Sequence, residues 1–176
     1  MSERNLLLYS STDGHTVKIM HYIEETLAEP CEIMNVHERG AMDFSGYKRV
    51  IIGASIRYGH LSKAFYQFVA QNQTALAQAN AAFFCVNLTA RKANRNTPET
   101  SPYVRTFLKR SPWQPAYMGV FAGALDYPSY RWFDRMMIQL IMKITGGETD
   151  TSKSLVYTDW QKVAEFARSC PLNIQK

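Results

Sequence analysis

Apolar residues fall along this chain in two alternating rhythms. Short apolar-rich runs at 4–10, 31–36, 49–55, 81–88 and 117–125 read as strands, the first of them continuous rather than alternating, as in a strand buried on both faces. Between them, apolar residues recur three and four apart. Val17, Ile19, Met20, Ile23 and Leu27 mark a helix over 16–28 that Pro30 stops, and Phe65, Phe68, Val69 and Leu76 mark another over 62–78. A further helix is predicted over 99–110, opened by Pro98, and Trp160, Val163, Ala164 and Ala167 give the inner face of a last one, started by Thr158 or Asp159. The segment 37–48, with Gly40 and Gly46, reads as loop. Strands alternating with helices predict an α/β three-layer fold around a parallel sheet. Ligands of such folds bind outside the carboxyl ends of the strands.

Three polar loops follow strands and so converge on that edge. The first is Ser10-Ser11-Thr12-Asp13-Gly14-His15-Thr16. Its hydroxyls, its glycine and the helix start behind it suit a phosphate, although Ser, Thr and Asp also serve as ordinary helix caps. Neither a Walker A loop nor a GxGxxG fingerprint is present. Gly53, Ala54 and Ser55 end the third strand with little bulk, leading into Ile56-Arg57-Tyr58-Gly59-His60. The fourth strand leads into Thr89-Ala90-Arg91-Lys92.

After the fifth strand the pattern breaks. An insertion over 126–153 carries an amphipathic stretch, 131–145, before a short strand at 155–157. Arg131, Arg135, Gln139 and Lys143 form a polar stripe; Phe133, Met136, Met137, Leu140, Ile141 and Ile144 form a wide apolar face. About 20 Å of helix is too short to span a bilayer. Core packing, a membrane-surface helix among interfacial aromatics (Tyr127, Tyr130, Trp132, Phe133) and a wall for a large apolar substrate are the three readings of this face.

Charge changes this picture more than composition does. Residues 1–40 hold three Lys/Arg against seven Asp/Glu, whereas 88–145 hold nine against three. The middle of the chain therefore suits anionic partners. The 176 residues fit a single domain over 4–170. No signal peptide or spanning segment is evident at the sequence level. Cys31, Cys85 and Cys170, odd in number and far apart, argue for a reducing compartment without disulfides or a zinc site.

The runs Ser-Thr-Asp-Gly-His-Thr at 11–16, Gly-Ala-Ser-Ile-Arg-Tyr-Gly-His at 53–60, Val-Asn-Leu-Thr-Ala-Arg-Lys at 86–92, Ala-Gly-Ala-Leu-Asp-Tyr-Pro at 122–128 and Gly-Gly-Glu-Thr-Asp-Thr at 146–151 make the chain similar to a flavodoxin-like family. That family is the HemG-type protoporphyrinogen oxidases, the quinone-dependent protoporphyrinogen IX dehydrogenases. The resemblance covers about 5–168; the first run is common to flavodoxins, while the second and the last are more specific. It implies a five-stranded parallel sheet of order 2-1-3-4-5, with the last strand interrupted by the insertion, as in long-chain flavodoxins.

The resemblance also implies bound FMN. Ser10, Ser11, Thr12, Asp13, Gly14, His15 and Thr16 would hold its phosphate. Ser55, Ile56, Arg57 and Tyr58, with Val86, Asn87, Leu88, Thr89, Ala90 and Arg91, would flank the ribityl chain and ring, joined by Gly123, Asp126 and Tyr127. His15 stands where flavodoxins often have another polar residue. The implied reaction takes six electrons from protoporphyrinogen IX in pairs and delivers them through FMN to a membrane quinone. No Ser-His-Asp or paired-carboxylate machinery is expected. Arg57, Tyr58, His60 and Arg91 are the catalytic candidates: Arg57 and Arg91 for flavin electronics or substrate carboxylates, Tyr58 for stacking, His60 for proton movement. Arg131 and Arg135 would meet propionates, with Trp132, Met136 and Leu140 toward substrate or membrane. The expected location is peripheral, on the cytoplasmic side of the inner membrane; a homo-oligomer is left open, and no nucleic acid or metal is expected. A flavodoxin-type electron carrier or a flavodoxin-fold NAD(P)H:quinone reductase is the alternative. Carriers of that fold are acidic, which the basic middle of this chain opposes.

Overall fold

The apolar-rich runs become the strands of one parallel sheet. In a computed structural model describing residues 4–174, these are β1 (Asn5–Ser10), β2 (Cys31–Asn35), β3 (Arg49–Ser55), β4 (Ala82–Asn87) and β5 (Met118–Ala122), in spatial order β2-β1-β3-β4-β5. The register sets Ser10 beside Ala54, Ser55 beside Val86 and Asn87 beside Ala122. The carboxyl ends of the four strands β1, β3, β4 and β5 therefore meet at one edge.

Both faces are covered, which is why the strand pattern lacks polar alternation. Leu6, Leu8 and Ile52 point to the layer of α2 (Lys63–Gln78) and α3 (Pro102–Arg110), with Phe65, Phe68, Val104 and Phe107. Leu7, Ile51 and Phe84 point to the layer of α1 (His15–Leu27) and α5 (Trp160–Ser169), with Ile19, Ile23, Val163 and Phe166. Ser62 caps α2 by accepting from Phe65 N, and Asp159 caps α5 by accepting from Lys162 N.

Two element boundaries differ from the sequence expectation. α3 starts at Pro102, not near 98, because Ser101 caps it and proline is preorganised for the first helical position. Thr97 and Thr100 instead close a turn on each other. The fifth apolar run divides at Gly123. β5 ends in the sheet, and β6 (Ala124–Asp126) leaves it to pair antiparallel with β7 (Ser154–Val156). The short strand after the insertion thus joins β6 rather than the main sheet. Between β6 and β7 lies α4 (Trp132–Thr145), over a small core of Leu125, Tyr127, Tyr130 and Met142.

At the opposite end of the sheet, Glu29 accepts from Asn5, from Lys48 Nζ at 2.6 Å and from Arg49 at 2.5 Å. These hydrogen bonds, Asn5 and Lys48 first, pull its pKa down to about 2. The folded pKa lies below the unfolded one, so the contribution is complete above about pH 4.5 and is lost as pH falls toward 2. Denaturant titrations are expected to show about 1–2 kcal/mol of acid-dependent stability over that window, after screening by solvent, that E29Q no longer shows.

Candidate functional site

The loop from β1 to α1 is built to receive an anion. Gly14 adopts φ 81°, a left-handed conformation that glycine reaches without strain. As N-cap it offers no side-chain acceptor, so the first N–H groups of α1 keep their capacity for a ligand. Ser11 Oγ accepts from Gly14 N at 3.0 Å, which leaves its proton to donate. Thr16 is fully buried, and its Oγ1 has no partner. A buried hydroxyl without a partner is costly; a phosphate oxygen seated on the helix start would satisfy it. This fits the flavin phosphate implied by the resemblance. Asp13, whose charge would oppose an anion, is paired with Arg57 at 3.0 Å.

Two of the loop residues are tied to other elements. Ser10 Oγ lies 2.8 Å from His37 Nε2 and 3.2 Å from Ser62 Oγ, and with Thr12 and His60 it lines a neighbouring cavity. His15 Nε2 lies 2.7 Å from Thr158 Oγ1. Thr158 gives its own proton to Ala122 O, so His15 must be the donor. Burial, then Lys18, lowers the His15 pKa and favours this neutral form.

After β3 the chain makes a tight hairpin. Arg57 and His60 exchange backbone hydrogen bonds at 2.9 and 3.0 Å, with Tyr58 (φ 50°) and Gly59 (φ 81°) at the tip. Positive φ at both central positions is the type I′ arrangement that suits two-residue hairpins. It presents Tyr58 at the cleft, with the Arg57 guanidinium 5.1 Å from its ring centre. The loop after β4 is pinned by buried Asn87, whose Oδ1 accepts from Thr89 Oγ1 and Ala90 N. Val86, Asn87, Leu88 and Thr89 line the cleft, as does Gly123; Ala90 is buried beneath it.

The insertion closes the other side. Ile138 and Ile141 of α4, with Tyr130, form part of the cleft wall. Two arginines from the loops reach the two ends of α4. Arg57 bonds Asp134 at 2.7 Å, and Tyr58 donates its phenolic proton to the same carboxylate. Arg91 donates to Leu88 O, Thr145 O and Thr145 Oγ1. The Tyr58 hydrogen bond, then that from Arg57, holds the Asp134 carboxyl below the usual carboxylate range. A slot with hydroxyls and a helix start at one end, apolar walls and an aromatic rim suits a flat ring system carrying a phosphate.

The polar stripe of α4 faces differently from the sequence expectation. Arg135 donates to Tyr127 O and Tyr130 O, and Gln139 to Thr149 O, so these side chains secure the insertion's own loops. Arg135, expected at a propionate, has these carbonyls as partners instead. The apolar face splits three ways. Ile138 and Ile141 face the cleft, Met142 is buried, and Trp132, Phe133, Met136, Leu140 and Ile144 lie exposed, Trp132 and Ile144 by about three quarters (75% and 76%). Asp126 accepts from Ser154, and Tyr127 is fully buried with its hydroxyl on Glu148 O; neither lines the cleft. Asp134, Ile138, Tyr103 and Thr158 joined the site without a sequence signal, because their places depend on how the insertion and α3 return to the sheet edge.

A family model described as "Flavodoxin domain" matches residues 6–152. A protoporphyrinogen IX dehydrogenase [quinone] of Escherichia coli K12 is 50% identical over 168 residues, covering 94% of this chain and 93% of that protein. One from Leishmania major is 50% identical over 170 residues, covering 94% and 74%. Among solved structures, a Streptococcus pneumonia TIGR4 flavodoxin aligns with TM-score 0.50 at 13% identity, over 95% of this chain and 97% of that one. A short-chain flavodoxin associated with a PDU bacterial microcompartment gives 0.51 at 8% identity, over 97% of each. At such identities these two speak for the fold alone. The family match and the half-identical relatives go further: the chain belongs to the flavodoxin-domain family, among the quinone-dependent protoporphyrinogen IX dehydrogenases.

Proposed function

We propose that this chain binds FMN in the cleft and oxidises protoporphyrinogen IX to protoporphyrin IX, with a membrane quinone as electron acceptor. The observation that carries the reading is the 50% identity, sustained over 94% of the chain, to relatives bearing that activity in their names. Bound flavin supplies the two-electron chemistry; the protein supplies binding, orientation and electrostatics. Ser11, Thr16 and the α1 start would hold the phosphate. Tyr58 on one side and Ile138 with Ile141 on the other would shield the ring from water. Arg57 stands at the cleft with its charge paired to Asp13 and Asp134.

The exposed face of α4, flanked by exposed Arg131 and Lys143, supports peripheral seating on the cytoplasmic side of the inner membrane, next to the lipid-dissolved quinone. No helix among the described residues is long and apolar enough to cross a bilayer.

The deciding measurement is anaerobic turnover of protoporphyrinogen IX with and without a quinone. Porphyrin fluorescence is expected only when quinone is present. Flavin reduction by an added reductase without porphyrinogen turnover would instead favour an electron carrier. Thr16 gives an independent check on the cofactor. T16V removes a buried hydroxyl that has no partner in the protein, so the apoprotein is expected to lose no stability. The FMN dissociation constant is expected to rise about tenfold, since a hydrogen bond to a charged group contributes roughly 1.5 kcal/mol or more. An unchanged constant would mean that the phosphate lies elsewhere.

A further inference from the structure

Arg57 is shared between two carboxylates. One guanidinium, about a quarter exposed, faces two carboxylates from two different elements: Asp13 at 3.0 Å from the β1–α1 loop and Asp134 at 2.7 Å from α4. Asp134 is the more deeply held, because Tyr58 also donates to it. The two contacts also differ in what they span. Arg57 and Tyr58 stand on the hairpin after β3, while Asp134 is on the helix whose Ile138 and Ile141 form the facing wall. The Asp134 contact therefore ties the two walls of the cleft together.

This arrangement bears on any acidic ligand. A guanidinium binds a carboxylate through a planar fork of donors, and in this protein an internal carboxylate already uses that fork. An incoming carboxylate can take the Arg57 donors only where Asp13 or Asp134 gives them up. Asp13 can stay on its own loop without closing the cleft; Asp134 cannot, because its contact is the bridge.

We propose that Asp134 is an internal stand-in for a substrate carboxylate: it occupies Arg57 in the ligand-free protein, and a propionate of the porphyrin takes its place, parting α4 from the Tyr58 hairpin. The inference rests on the functional reading above, which supplies a tetrapyrrole with two propionates as the ligand. Asp134 then sets specificity in a defined way. Ligands that bring a carboxylate to Arg57 can open the bridge, and esterified or uncharged ones of the same shape gain nothing from doing so.

The test is equilibrium binding of protoporphyrin IX and of its dimethyl ester to the FMN-loaded protein, followed by quenching of tryptophan fluorescence, with FMN content read from the flavin absorbance. For the wild type, the free acid is expected to bind more tightly than the ester. D134N, which keeps the shape but removes the competing charge, is expected to tighten the free acid about five- to tenfold and leave the ester within twofold. R57Q is expected to weaken the free acid to the level of the ester. Equal effects of D134N on both porphyrins, or a weakening of the free acid, would overturn the proposal. So would tightening by D13N in place of D134N. D134S is read in the same way if D134N loses FMN; loss of FMN from both assigns Asp134 to holding the site together and also overturns it. Wild-type protein that binds neither porphyrin removes the functional reading along with the inference. Binding of both with no dependence on the carboxylates removes the inference alone.

Discussion

Replacing Gly53 by alanine is expected to lower the thermal midpoint by about 6–12 °C. Gly53 lies in β3 between Tyr9 of β1 and Phe84 of β4, and the Phe84 ring folds across it. A Cβ at Gly53 would sit 2.2 Å from Phe84 Cζ and 2.8 Å from Met20 Cε. Met20 can yield at its flexible end. Phe84 cannot, because it is fully buried and packed 5.2 Å from the ring of Phe121 and 5.8 Å from that of Phe166. Overpacking of this kind costs about 3 kcal/mol, and in a domain of this size each kcal/mol moves the midpoint by about 2–4 °C. The double variant G53A/F84L should lose less than the sum of its parts, because the second change removes the ring that the first one meets. A midpoint for G53A within 2 °C of wild type would show that the ring has room to turn. The consequence reaches the site, since β3 runs directly into Ser55 and the Arg57–His60 hairpin. Gly14 is a glycine for the other reason. A Cβ there would touch nothing within 4 Å, but φ 81° disfavours any other residue.

That contrast marks where sequence alone was informative. The apolar runs located the five sheet strands, most plainly β3 and β4, whose interiors are buried on both faces. The three loops could be placed at one edge without coordinates, since in a parallel sheet all carboxyl ends point the same way. Thr16, Arg57, Tyr58 and Asn87, from those three loops, line one cleft. The insertion was different. Its hydrophobic periodicity revealed a helix but not which way the helix faced, because periodicity reports amphipathicity and not the neighbour that each face meets. Arg135 and Gln139 read as members of a polar stripe, with Arg135 toward a propionate, yet the carbonyls of Tyr127, Tyr130 and Thr149 hold them. Ile141 read as one more member of the wide apolar face, and its periodicity did not show that it lines the cleft. Asp134, without a motif around it, emerged only from the meeting of α4 with the β3 hairpin.

Converting Met136, Leu140 and Ile144 together to serine is expected to reduce binding to anionic phospholipid vesicles by about a hundredfold while FMN stays bound. These side chains are 45%, 50% and 76% exposed, so each has roughly half or more of its surface still to bury. At about 1.5–3 kcal/mol for burying a whole apolar side chain, the remaining surface is worth about 1 kcal/mol apiece, or about 3 kcal/mol in all. Each 1.4 kcal/mol is tenfold in a partition constant. Arg131 and Lys143, exposed at either end of α4, would add roughly 1 kcal/mol each against anionic lipid, and salt would remove that part while leaving the apolar part. High salt should therefore weaken vesicle binding less than the triple substitution does. Ile141 supplies the opposite control. Because it faces the cleft, I141S is expected to loosen FMN and leave vesicle binding intact. Loss of FMN or of the fold in the triple variant would mean that the stripe packs on protein instead of lipid. Separate behaviour of the two faces would assign α4 two surfaces, one toward the flavin and one toward the membrane that holds the quinone.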